Sequence, residues 1–265
     1  MTDNYYTTLA LANPVAQVLQ ITLNRPEFAN AFNTQMATDL MHCFEALAMD
    51  TGDTRCIVLT GAGERAFCAG GDLKERDGMS NEAWTAQHLV YERMIRAVID
   101  CPVPLIAAVN GAAFGGGCEL AAGADFIYAA DSARFAMTET SLGIIPGAGG
   151  TQTLARALGE RRAKELILTA RRFDAEQARQ WGLVNEVFPL EQLLDEALQA
   201  AARIAANAPV AVRQAKQAIH RGLQMSLADG HGFAIEAYNR TVPTEDRREG
   251  VRAFNEKRSP EFKGK

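Results

Sequence analysis

Apolar residues follow two rhythms along the chain, and the change falls near residue 190. Before it, short unbroken apolar runs alternate with stretches in which apolar residues recur every three or four positions. "VAQVLQITL" (15–23), "RCIVLTG" (55–61) and "PLIAAVNG" (104–111) predict strands, the latter two buried. "DFIYAA" (125–130) and "ARFAM" (133–137) read the same way. Between them, "TQMATDLMHCFEALAMD" (34–50) places Met36, Leu40, Phe44 and Leu47 on one helix face, and residues 81–100 repeat that spacing. Strand and helix in alternation imply an α/β core with crossover connections.

Past "LGIIPGAGG" the pattern turns helical, with Gly159 and Gly182 as stops and "LVNEVFP" (183–189) as a last short strand. From there it predicts helices only, over 190–206, about 209–222, 226–240 and 243–257. "ALQAAARIAANAP" has ample helix propensity. The organisation expected is a core over residues 1–190 and a helical region over 191–265. No linker, tandem repeat or low-complexity segment interrupts it.

Composition narrows the class. The 265 residues suit one large domain, and 48% hydrophobic with 22% charged residues is the balance of a globular protein. A net charge of −5 argues against a nucleic-acid partner, although Arg161, Arg162 and Lys164 form a local basic group. No run approaches the roughly 18 apolar residues that span a bilayer. "MTDNYYTTLA" lacks the basic and apolar segments of a signal peptide, so a cytoplasmic location is expected. Cysteines 43, 56, 68, 101 and 118 show no CxxC spacing and read as buried free thiols. The four histidines are scattered, and no metal site is expected.

Three glycine clusters remain. "GAGERA", after a strand, fits G-x-G-x-x-A, but the chain runs on through Phe67 and Cys68 to another glycine pair instead of opening a helix, so a dinucleotide site is not expected. "AFGGGCELAAGAD" (113–125) starts a buried helix with glycines, which allows either close helix–strand packing or a ligand at the helix N-terminus. "LGIIPGAGGTQTL" lacks the G-K-[ST] of a phosphate loop and reads as a turn. Two carboxylates stand in apolar surroundings, Glu119 in "GCELAAGAD" and Glu139 between "RFAMT" and "SLGIIPG". A carboxylate so placed is bonded to a partner or used in chemistry, and desolvation raises its pKa.

In order and spacing, "LNRPEFANAF" (23–32), "RAFCAGGDLKER" (65–76), "PLIAAVNGAAFGGGCELAAGAD" (104–125), "TETSLGIIPGAGGTQTLARALG" (138–159) and "TEDRREGVRAFNEKRSPEF" (244–262) resemble the enoyl-CoA hydratase/isomerase (crotonase) superfamily. The resemblance implies an α/β spiral of ββα units followed by a C-terminal helical region that drives trimerisation, with homotrimers or hexamers as assemblies. It implies an acyl-CoA thioester as substrate, with coenzyme A part of that substrate and no separate cofactor. It gives the backbone N–H groups of Gly71, where many members have Ala, and Gly116 as an oxyanion hole. It makes Glu119 and Glu139 the catalytic glutamates, holding a water that adds across a 2-enoyl-CoA. It suggests coenzyme A contacts at Phe28, Ala29, Ala69, Gly71, Asp72, Leu73, Lys74 and Gly116, while Pro26 and Asn30 read as structural. The loop after Lys74 is expected to be mobile when the site is empty.

Glutamate at both 119 and 139 favours a hydratase over an isomerase. "CAGGDLKER" and the C-terminal tail are similar to 3-methylglutaconyl-CoA hydratases, whose substrate carries a distal carboxylate; Lys74 and Arg76 are the cations that could meet it. "GGGCEL" and "LGIIPGAGGTQ" match short-chain enoyl-CoA hydratases as well, and this general assignment is preferred. A non-enzymatic RNA-binding role is the reading from a different class.

Overall fold

The computed structural model describes residues 6–265. It opens with a hairpin where one strand over 15–23 is expected: β1 (Leu9–Val15) pairs antiparallel with β2 (Val18–Leu23), Leu9 facing Leu23. Gln17 adopts φ 63°, and the chain doubles back there. β1 is an edge strand with most of its side chains in solvent, so it carries no continuous apolar signal.

Two-faced burial explains the unbroken runs. β3 (Cys56–Gly61) is buried at every position, then β4 (Ala66–Cys68) follows, the short α2 (Leu73–Arg76) and the long α3 (Asn81–Ile99). α1 (Thr34–Met49) precedes them, its first turn capped by Asn33, whose side chain accepts the Met36 N–H at 3.0 Å. The pattern then repeats. β5 (Leu105–Val109), β6 (Ala112–Phe114) and α4 (Gly116–Ala122) form one unit; β7 (Phe126–Ala130), β8 (Arg134–Ala136) and α5 (Gly150–Leu158) form the next. α6 (Glu160–Thr169), β9 (Phe173–Asp174), α7 (Ala175–Trp181) and β10 (Glu186–Phe188) complete the core.

Sheet order reveals how the units stack. One sheet runs β1-β2-β3-β5-β7-β10 and the other β4-β6-β8-β9. In each unit the first strand enters the larger sheet and the second enters the smaller, in parallel with its counterpart one unit earlier. Each ββα unit is therefore one turn of a spiral, as expected. The run 104–111 ends its strand at Val109 because Asn110 leaves the ladder: its side chain accepts the Gly61 N–H at 3.1 Å and donates to Gly61 O and Gly63 O.

α8 (Leu190–Ala205), α9 (Pro209–Gly222), α10 (Leu227–Thr241) and α11 (Glu245–Glu256) follow. α8 lies on the large sheet and buries Leu193, Ala197, Ala200, Ala201 and Ala205 in the same core as β3 and β5, so by packing it belongs with the residues before 190. α9 and α10 form a hairpin beyond it. Lys216 of α9 pairs with Asp125 at 2.8 Å and donates to Val103 O, while Arg55 donates to Ala205 O and Phe262 O; these bonds fasten the helical region to the core. All five cysteines are buried and free, and burial pushes the Cys43 and Cys56 thiols up to about 12. Among the described residues, no helix is long and apolar enough to cross a membrane.

Candidate active site

The glycine run 115–117 turns the chain from β6 into α4. Gly115 holds φ 51°, where a side chain is strained. A Cβ on Gly117 would stand 1.9 Å from the carbonyl oxygen of Cys68, so the first turn of α4 presses directly on β4. A Cβ on Gly116 would meet the Phe32 ring at 2.4 Å. The close-packing reading holds, and that packing brings the N-terminus of α4 to a cavity.

That cavity, of about 420 Å³, is lined by Gly71, Gly116, Glu119 and Glu139 together. The Phe32 N–H donates to Gly70 O and the Asp72 N–H donates to Phe32 O, bracketing Gly71 and leaving its own N–H unused. Gly116 opens α4, where an N–H has no partner inside the helix. Among the described residues, neither N–H is engaged by the backbone, and the two flank the same space. Two donors so disposed suit an oxygen that gains negative charge during a reaction.

Glu119 projects from the first turn of α4 and is 2% exposed. Its Oε1 accepts the N–H of Ala148 at 2.8 Å and of Gly150 at 2.7 Å. The "PGAGG" turn, read from sequence as a turn alone, therefore also orients this carboxylate. Burial is the largest influence on Glu119; the Gly150 N–H opposes it, the negative charge of Glu139 adds to it, and the pKa rises to about 7. Glu139 follows β8 in a short 3-10 turn, Glu139–Leu142, and its Oε1 lies near Gly115. Burial raises its pKa as well. Its Oε2 is buried and has no hydrogen-bond partner within the protein. Two carboxylates with raised pKa values, one with an uncommitted oxygen, can exchange protons with a small molecule between them.

The remaining residues nominated from sequence divide. Ala69 and Leu73 line the cavity beside Gly71 and Gly116. Phe28, Ala29, Asp72 and Lys74 do not. Phe28 is half exposed under the Arg25 guanidinium, 4.4 Å from its ring centroid. Asp72 caps α2, accepting from the N–H of Lys74 and Glu75, and pairs with Arg25 at 3.1 Å. Lys74 is exposed. Asn30 donates to Ala62 O and Ala66 O, tying the loop before α1 to the one before β4. Arg76 does line the cavity.

Sequence reasoning missed one wall. Trp84, Thr85, His88 and Tyr91 of α3 line the cavity together with Ile144 to Ala148, His88 packing against Gly147. The Tyr91 ring meets Phe32 edge-on at 4.9 Å, and its hydroxyl donates to Phe32 O at 3.0 Å. Only the apolar spacing of α3 was visible in the sequence, and Trp84, Thr85 and His88 lie beside that stripe. Among the described residues, no group of three or more His, Cys, Asp or Glu side chains is placed to hold a metal ion.

Known proteins share this fold. Over 250 residues the chain is 41% identical to the 2,3-dehydroadipyl-CoA hydratase of Escherichia coli, covering 94% of this chain and 96% of that one. It is 39% identical to the short-chain-enoyl-CoA hydratase of Clostridium acetobutylicum, covering 92% and 94%. The crystal structure of an enoyl-CoA hydratase from Bacillus anthracis superposes with a TM-score of 0.96 at 44% identity, covering 98% of this chain and all of that one. Residues 14–265 match the family model for enoyl-CoA hydratase/isomerase, and the chain belongs to that family.

Proposed function

We propose that the protein is a hydratase that adds water reversibly across the 2,3 double bond of an enoyl-CoA thioester, giving a 3-hydroxyacyl-CoA. The observation that carries this reading is the pairing of Glu119 and Glu139, both raised in pKa, in the cavity that also holds the Gly71 and Gly116 N–H groups. The thioester oxygen sits between those two donors, which stabilise it as it takes on enolate charge. A water held by the two carboxylates gives its oxygen to C3 and a proton to the pair. The pair delivers a proton to C2, so its proton count is restored at the end of the cycle. Family members of the same length carry hydratase names, which supports the same reaction here.

A double-bond isomerisation adds no atoms and needs one group to take and return a proton. It leaves the second buried glutamate without a task. Incubation with crotonyl-CoA followed by mass analysis of the product separates the two. Hydration adds the mass of one water and removes the enoyl-thioester absorbance; a product of unchanged mass overturns the reading.

On this reading the coenzyme A moiety contacts Phe28, Ala29 and the stretch from Ala69 to Lys74, of which Ala69, Gly71 and Leu73 line the cavity. Water addition needs no further cofactor. Large apolar side chains exposed on α9, α10 and α11 and in the turn between the first two, among them Ile219, Leu223, Leu227 and Phe254, support assembly into trimers or hexamers.

A further inference from the structure

The cavity wall formed by α2 and α3 holds a cation that the proposed reaction does not use. Arg76, the last residue of α2, is only 9% exposed and lines the cavity beside Gly71 and Trp84. Its Nε donates to Gln87 Oε1 at 2.8 Å. Its Cζ stands 4.2 Å over the Trp84 ring and 4.8 Å over that of Tyr91. Its Nη2 is buried and has no hydrogen-bond partner. A guanidinium taken this far from water ordinarily has a carboxylate against it, because an unpaired buried charge is costly.

Among the described residues, no carboxylate lies within ion-pair distance of Arg76. Two acids close to it in sequence are committed elsewhere, and Asp77 is exposed. Asp72 pairs with Arg25 and caps α2. Glu75 Oε2 accepts the Thr34 N–H at 2.9 Å and the Gln87 side-chain amide at 2.7 Å, so Gln87 stands between the two charges. His88, on the same wall, leans toward Glu92 at 3.6 Å. The aromatic faces and Gln87 fix the guanidinium plane and leave one end unused, an arrangement suited to a carboxylate arriving from the cavity.

Resting on the reaction proposed above, we propose that Arg76 receives a carboxylate at the far end of the acyl chain, so that the preferred substrates are short dicarboxylic 2-enoyl-CoA thioesters. The chain is short because the cation is near the reacting carbonyl: a Cβ on Gly71, the residue whose N–H holds the thioester oxygen, would lie 3.9 Å from both Cζ and Nη1 of Arg76. Lys74, the other cation suggested by the sequence for this task, is exposed and outside the cavity lining.

The test compares matched pairs, pent-2-enoyl-CoA with glutaconyl-CoA and hex-2-enoyl-CoA with its terminal carboxylate analogue, in wild type and Arg76→Met. Wild type is expected to show at least about tenfold higher kcat/KM for the carboxylate member of one pair, and in Arg76→Met that ratio falls below one. Hydration of the apolar members without preference overturns the inference and leaves the proposed reaction standing. An equal loss on both members in Arg76→Met assigns Arg76 a purely structural role and also overturns it. Failure of wild type to hydrate any of the four overturns both. Should Arg76→Met not fold, inhibition of wild type decides: glutaryl-CoA or adipoyl-CoA is expected to compete at least tenfold better than the apolar acyl-CoA of equal length, and equal inhibition contradicts the inference.

Discussion

Glu119 accepts the backbone N–H of Gly150 at 2.7 Å, which joins the first turn of α4 to the first residue of α5. The bond, with its companion from Ala148, fixes the carboxylate but does not compensate its burial, and the pKa stays near 7. The consequence for stability has a definite sign. Between the ordinary value of 4.5 and about 7, the unfolded chain has lost this proton and the folded chain keeps it. Stability contributed by the protonated form is therefore full below 4.5 and is lost as pH rises to about 7. Glu119→Gln retains an oxygen for both N–H groups and cannot ionise. At pH 8 it is expected to be more stable than wild type, by on the order of 2–3 kcal/mol, with the difference vanishing near pH 4.5. Thermal unfolding of both proteins across this range checks it; a wild type equally stable at pH 8 contradicts the raised pKa.

Gly117 is held by packing rather than by an unusual backbone angle. A methyl group there would overlap the Cys68 carbonyl, which belongs to a buried strand and cannot swing aside. Gly117→Ala is expected to cost about 3 kcal/mol, the upper end for overpacking, and to lower Tm by about 6–12 °C. It should also lower kcat, because the displaced turn carries both Gly116 and Glu119. A variant with wild-type Tm and rate would show that α4 and β4 do not pack this closely.

Gly71 presents the opposite case. A Cβ there would lie 3.5 Å from the Tyr91 ring and 3.9 Å from Arg76, ordinary contacts, and the N–H survives the change. Gly71→Ala is expected to keep kcat on crotonyl-CoA within about threefold. Gly71→Pro, which removes the N–H, is expected to lose about a hundredfold or more. Equal loss in both variants would argue against a role for this N–H.

The assembly proposed from the exposed apolar residues of the helical region can be weighed directly. Ile219, Leu223 and Leu227 sit around the turn joining α9 to α10, and Phe254 is 83% exposed on α11. Light scattering at micromolar concentration is expected to give three or six times the chain mass of 28.7 kDa. A monomeric mass contradicts this, and would leave those side chains without a role in the fold.

Much of this arrangement could be read from the chain, for reasons that differ by element. β3 and β5 were legible because burial on both faces forces unbroken apolar runs. Glu119 stood out because a carboxylate beside Leu120 and Ala121 is expensive unless it is used. β1 was not legible, since an edge strand facing water needs no apolar pattern, and Gln17 is not a residue that announces a left-handed turn. The α3 wall escaped for a related reason. Periodicity identifies the buried face of a helix through Tyr91, Met94, Ile95 and Val98, but says nothing about which neighbouring stripe meets a cavity. Lys74 and Arg76 were equal candidates as cations in sequence; the short α2 places one in solvent and the other against Trp84.

The paired carboxylates are the centre of the proposed mechanism, and one set of rates tests them most directly. Crotonyl-CoA hydration is followed by loss of the enoyl-thioester absorbance for wild type, Glu119→Gln, Glu139→Gln and the double variant. Each single change is expected to lower kcat at least about a hundredfold with the fold intact, and the double variant should lie far above the product of the two losses, because both groups serve one water. Wild-type hydration that survives either substitution within about tenfold would contradict the shared role of Glu119 and Glu139.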